Sequence, residues 1–109
     1  YKSNSVNVVT RNISKIDWFK VSSNKKTTIY RVLQELMTNM KKHSEATIVV
    51  IVFKQNSNKM ILEYKDNGVG TEIKKQNGLE NAENRIHSVN GTITFETQLN
   101  KGFKAVINI

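Results

Sequence analysis

Residues 64–78 read YKDNGVGTEIKKQNG and hold three of the five glycines of the chain. They follow a run, Lys59 to Asp66, in which Met60, Leu62 and Tyr64 alternate with Ile61, Glu63 and Lys65. That is the period of a strand with one face in a core. Alternation puts Asp66 on the face of Leu62 and Tyr64, so the strand ends with a carboxylate pointing inward. An inward carboxylate is costly unless it has a partner. Two readings are open. Asp66-Asn67-Gly68 can be a turn whose aspartate bonds its own backbone, as these residues commonly do. Alternatively, Asp66 meets a ligand amine, and Gly68 and Gly70 lack side chains because the backbone passes close to that ligand or takes positive φ.

Upstream, Thr47 to Phe53 is a β-branched run that Asn56-Ser57-Asn58 joins to the strand of residues 59–66, which predicts an antiparallel hairpin. Farther back, Ile29, Val32, Leu33, Leu36, Met37 and Met40 recur at spacings of three and four, so Asn24 to about His43 is expected to be helical, with Ser23 or Asn24 as its cap. Downstream, Leu79, Ala82, Ile86 and Val89 mark a shorter helix closed by Asn90-Gly91. Thr92 to Thr97 and Phe103 to Ile109 then pair through Leu99-Asn100-Lys101-Gly102. In the first twenty residues Val6, Val8 and Val9 suggest a strand, and Ile13, Ile16 and Trp18 are expected to cover an edge of the core. The order strand, helix, two strands, helix, two strands predicts an α+β two-layer sandwich, a mixed and mostly antiparallel sheet with helices on one face.

At 109 residues the chain has room for one domain, residues 1–109, with one modest core. No long apolar run and no secretory leader pattern is present, and without cysteine there is neither a disulfide framework nor a thiolate metal site. The net charge of +8 raises nucleic acid or an anionic membrane as a partner. Lysine, however, makes up fourteen of the seventeen cationic residues, from Lys2 to Lys104, and asparagine is equally frequent. Only Arg11, Arg31 and Arg85 suit bidentate base reading, so no direct nucleic-acid partner is expected.

On the long helix Arg31, Glu35, Asn39 and Lys42 or His43 fall one turn apart, with Glu35 and Asn39 beside the apolar stripe, where a half-buried site would lie. Glu35-Leu36-Met37-Thr38-Asn39-Met40-Lys41-Lys42-His43-Ser44, then Asp66-Asn67-Gly68-Val69-Gly70, then Gly78-Leu79 with Arg85-Ile86, resemble the N box and two glycine boxes of the ATP-binding domain of sensor histidine kinases. This Bergerat, or GHKL, fold is shared with DNA gyrase B, the mismatch-repair ATPase MutL and the ninety-kilodalton heat-shock chaperone. The stretch Tyr30 to Glu35 and the Lys42-His43-Ser44 ending are most similar to the subfamily paired with helix-turn-helix response regulators. The resemblance runs from about residue 28 to the C-terminus.

The resemblance implies Mg-ATP as ligand. Asp66 would accept from the adenine amine, and Asn39 would coordinate magnesium through its amide oxygen. Lys42 and His43 would face the phosphates. Glu35 would polarise the attacking group or order water near the metal. Gly68 and Gly70 would line the nucleotide, residues 71–77 would form a short lid with Lys74 and Lys75 toward phosphate, and Gly78 and Leu79 would open a helix whose amides can meet one. Phe103 stands where the family often has threonine, and reads as packing. The implied activity is that of a protein histidine kinase in two-component signal transduction, a transferase acting in a phosphorelay.

Such a kinase needs a separate helical dimerisation domain with the phosphoacceptor histidine, for which no segment is available here. The expectation is therefore a cytoplasmic catalytic fragment of a larger, homodimeric sensor, membrane-anchored or not, that phosphorylates itself little or not at all in isolation. Its partners would be that phosphoacceptor domain and, through it, a response regulator. Three alternatives are an ATP-hydrolysing clamp with Glu35 as general base, a degenerate domain that binds nucleotide without transfer, and a small basic nucleic-acid-binding module whose affinity falls steeply with salt.

Overall fold

A computed structural model describes residues 6–43, 46–57, 59–68, 77–98 and 102–109, with the backbone alone for residues 42, 43, 77, 78, 97 and 98. The strands are β1 (Asn7–Arg11), β2 (Ile48–Asn56), β3 (Lys59–Asp66), β4 (Thr92–Gln98) and β5 (Gly102–Asn108), and the helices are α1 (Ser23–His43) and α2 (Asn77–His87). Two short 3-10 turns, Ile13–Lys15 and Trp18–Lys20, lie between β1 and α1.

The strands form one mixed sheet in the order β1-β2-β3-β5-β4. β1 runs parallel to β2, and the other neighbours are antiparallel. Alternate residues of the central strands, Val49, Ile51 and Phe53, Met60, Leu62 and Tyr64, Ala105 and Ile107, are buried on one face. The same core holds Ile29, Val32, Leu36, Met37 and Met40 of α1 and Leu79, Ala82 and Ile86 of α2. The opposite face is mixed: half-buried Val50, Val52, Ile61 and Val106 lie among charged side chains, and Glu63 pairs with Lys54 at 2.8 Å and Lys104 at 3.5 Å. Its carboxyl is held below the ordinary range by the hydrogen bond from Lys54. The two-layer α+β architecture expected from the sequence is therefore present.

The α1 cap is Ser22, whose Oγ accepts from the Lys25 amide at 3.2 Å, rather than Ser23 or Asn24. A serine placed one residue earlier leaves Ser23 free to begin the helix. At the far end of α2 the Gly91 and Asn90 amides bond the Ile86 and His87 carbonyls. With Asn90 at φ 63 this is a Schellman ending. Asn90 supplies the left-handed turn, while Gly91 is needed because a Cβ there would lie 2.5 Å from the Asn108 carbonyl oxygen. Ile16 is buried and Trp18 packs edge-on to Phe53, but Ile13 is exposed, contrary to expectation. In the tight turn after β1 it is the Ile13 carbonyl, not the side chain, that has a partner, the Trp18 indole N–H at 3.2 Å. Among the described residues, no helix is long and apolar enough to cross a membrane.

Candidate functional site

Strand register determines which parts of the chain meet. Asp66, the last residue of β3, pairs with Val49 near the start of β2 and with Phe103 near the start of β5. Phe103 also pairs with Thr97 near the end of β4. The segment before α1 is tied to the opposite end of the sheet, where the Gln55 amide group bonds both the Asp17 amide and the Asp17 carbonyl. α1 therefore begins there. Its 21 residues rise about 31 Å, enough to cross the sheet and end beside the start of β2. α2 begins after Asp66 and ends against Asn108, so it runs the other way. One end of the sheet thus collects the end of α1, with Asn39, Lys42 and His43, the Asp66–Gly68 segment, and the first turn of α2, with Gly78 and Leu79.

Asp66 is 3% exposed, so its carboxylate does point inward. Its Oδ1 accepts from the Gly68 amide at 2.9 Å. The local turn bond of the first reading therefore forms, and it does so in a buried setting. Burial raises the Asp66 pKa, and the amides of Gly68 and Phe103 and the Tyr64 phenol pull the other way.

Asn67 does work that sequence reasoning missed. Its Oδ1 accepts from the amides of Thr47 and Ile48 at 2.9 and 3.0 Å, and its Nδ2 donates to Thr47 Oγ1 at 2.9 Å. It thereby fastens the loop after α1 to the segment that follows β3. The readable signal was an asparagine next to an inward aspartate, since asparagine amides readily stand in for backbone groups. Gly102 is the second omission: at φ +96 it packs on the Asp66 backbone, where any Cβ would collide with the Asp66 carbonyl oxygen. Phe103 packs against Tyr64 and Phe95, with ring centroids 6.1 and 5.9 Å apart, in keeping with a packing role.

On α1, Glu35 and Asn39 are half-buried at the rim of the core. The Arg85 Nε–H of α2 donates to Glu35 Oε1 at 2.9 Å, while Oε2 is buried with no hydrogen-bond partner. Arg85 lies on the flank of α2 beside Ala82 and Ile86, and helical spacing alone gives no sign that this flank faces Glu35. The side chains of Lys42 and His43, and the whole of Gly70, Lys74 and Lys75, fall outside the described residues. Gly78 is in the first turn of α2, which starts one residue earlier than expected, at Asn77. Leu79 is buried in the core, so what it can offer a ligand is its backbone amide. Among the described residues no three His, Cys, Asp or Glu side chains cluster as metal ligands.

No family model matches the chain. It is 40% identical over 87 residues to the sensor histidine kinase ComP of Bacillus subtilis, covering 74% of this chain and 11% of ComP. It is 35% identical over 83 residues to the oxygen sensor histidine kinase NreB of Staphylococcus carnosus, covering 70% of this chain and 23% of NreB. The chain thus spans less than a quarter of either relative. Its fold matches the histidine kinase domain of the blue-light activated kinase EL346 from Erythrobacter litoralis, with TM-score 0.80 at 14% identity over 98% of this chain and 55% of that one. It also matches full-length ShkA, solved in complex with AMPPNP, with TM-score 0.64 at 14% identity over 77% of this chain and 21% of that one. By sequence the chain belongs to the sensor histidine kinase family, and it shares the fold of a histidine kinase domain of known structure.

Proposed function

We propose that this chain is a single ATP-binding domain that binds Mg-ATP and, in a longer parent kinase, presents the γ-phosphoryl group to a histidine of a separate helical domain. The observation that carries the reading is Asp66, a buried carboxylate at the sheet end where α1 stops and α2 starts. An acceptor-only group in that position suits the amino group of adenine. The likeness to ShkA, which was solved with an ATP analogue, supports a nucleotide as the ligand.

In this reading the base lies on Asp66 and Gly68, and the phosphates lie toward Lys42, His43 and the amides of the first turn of α2, including those of Gly78 and Leu79, where a helix N-terminus favours negative charge. Gly70, Lys74 and Lys75 of the segment between β3 and α2 would complete the phosphate side. Asn39 supplies one neutral oxygen at the rim. A single protein oxygen suits magnesium, which takes most of its ligands from phosphate and water. Bound magnesium would supply positive charge against the phosphate oxygens. Glu35 would order the attacking group, held in place by Arg85. The chain contributes positioning and electrostatics, the main sources of rate in phosphoryl transfer. Its partners would be the phosphoacceptor domain of the same, dimeric, kinase and a response regulator.

Calorimetric titration with AMPPNP and magnesium tests this. Binding by the wild type and its loss in Asp66→Ala are expected, whereas equal binding by both proteins would sink the adenine assignment. Asn39→Ala should weaken only the magnesium-dependent part of the affinity. A wild type indifferent to magnesium removes Asn39 from that role.

A further inference from the structure

Two residues before Asp66, on the same face of β3 and about 7 Å along the strand, stands Tyr64. It is 0% exposed, with its ring edge-on to Phe103. Its hydroxyl stands near enough to the Asp66 carboxylate to act on it, but completes no hydrogen bond in the ligand-free fold. A buried phenol normally finds one, and leaving it unpaired destabilises the fold. Phenylalanine would fill the same space without that cost, so packing does not account for the hydroxyl. Apart from Asp66, its neighbours across the strands offer no polar side chain. The register partners of Tyr64 are Ile51 and Ala105, and those of Asp66 are Val49 and Phe103. The hydroxyl and the carboxylate form a polar pair in apolar surroundings.

The two groups have complementary capacities. A carboxylate only accepts, and a phenol that keeps its proton donates. Tyr64 keeps its proton, because burial first and the nearby Asp66 charge second push it above the ordinary tyrosine range. Adenine offers a matching pair on adjacent atoms, the 6-amino donor and the N1 acceptor. We propose that Tyr64 is a base-reading residue whose hydroxyl donates to N1 of the adenine whose amino group Asp66 accepts. This rests on the nucleotide reading above and adds to it a second, side-chain determinant of which base is bound.

The test is calorimetric titration of the wild type and Tyr64→Phe with ADP and with 1-deaza-ADP, which lacks the N1 acceptor. The wild type should bind 1-deaza-ADP roughly five- to tenfold more weakly than ADP, the worth of one neutral hydrogen bond. Tyr64→Phe should lose that factor for ADP and no longer distinguish the two nucleotides. Its melting temperature without nucleotide should equal or exceed that of the wild type. A Tyr64→Phe protein that still discriminates as the wild type does, or that weakens both nucleotides alike, overturns the proposal and leaves the hydroxyl acting only on Asp66. A lower melting temperature overturns it too, by placing the hydroxyl's partner inside the protein. A wild type that binds both nucleotides equally overturns this inference alone, whereas one that binds neither overturns the nucleotide reading itself.

Discussion

Asp66 stands in an environment that penalises its charge. Burial raises its pKa above the ordinary 3.8, so across the window between the two values the folded chain holds a proton that the unfolded chain has released. Stability is then highest below that window and falls as pH rises through it. Above the window the ionised carboxylate is a standing cost in the ligand-free fold, a cost that the proposed binding role would explain. Asp66→Asn removes the charge and keeps an oxygen to accept from the Gly68 amide. Without nucleotide it should melt above the wild type at neutral pH, with the gain shrinking to nothing as pH falls below about 4. Thermal melts of both proteins from pH 3 to 8 check this, and a gain independent of pH would mean that charge is not the cause. The inward direction of Asp66 was legible from alternation in β3. The orphaned Tyr64 hydroxyl was not, because alternation places a side chain on a face and says nothing of what its last atom meets.

Between elements, the join of α1 to β2 depends on one side chain. The three hydrogen bonds of Asn67 hold Thr47 and Ile48 against the end of β3. Asn67 is exposed, so each bond replaces one to water and contributes modestly. Asn67→Ala should cost about 1–2 kcal/mol in denaturant unfolding and speed hydrogen exchange at the Thr47 and Ile48 amides. It should also weaken nucleotide binding, because the end of α1 would no longer be fixed relative to Asp66. Unchanged exchange at both amides would show that the loop is held by something else. Both helices and both hairpins were readable, since each carries its own period over many residues. Their ends were less so: Ser22 instead of Ser23 as cap, and Ile13 outside the core, are decided by single turns whose geometry the period does not encode.

For the whole molecule, the arrangement is asymmetric. β1, the start of β2, the end of β3, the end of β4 and the start of β5 meet at the end of the sheet that also receives α1 and releases α2. Side chains more than forty residues apart in sequence are gathered there, and Glu35 and Arg85 are joined between the helices although fifty residues separate them. Under the proposed function this end presents nucleotide to a histidine held elsewhere. The isolated chain given ATP labelled on its γ-phosphate should retain no label, while addition of the parent's phosphoacceptor domain should yield an acid-labile phosphohistidine on that domain. Acid-labile label on the isolated chain itself would overturn the separation of roles.

What the sequence by itself determined were the periods, the order of elements and the three motifs that tie the chain to the sensor histidine kinases, all of them local patterns. Only the tertiary structure decided that Glu35 is held by Arg85, that Asn67 is a fastening, that Gly102 must lack a side chain to lie on the Asp66 backbone, and that the Tyr64 hydroxyl stands unpaired beside a carboxylate. Each depends on the distance between residues remote in sequence, which strand register and helix crossing set and no single segment records. The stretch YKDNGVGTEIKKQNG announces an inward aspartate and the glycines after it, and the fold supplies the burial that makes that aspartate a candidate for binding.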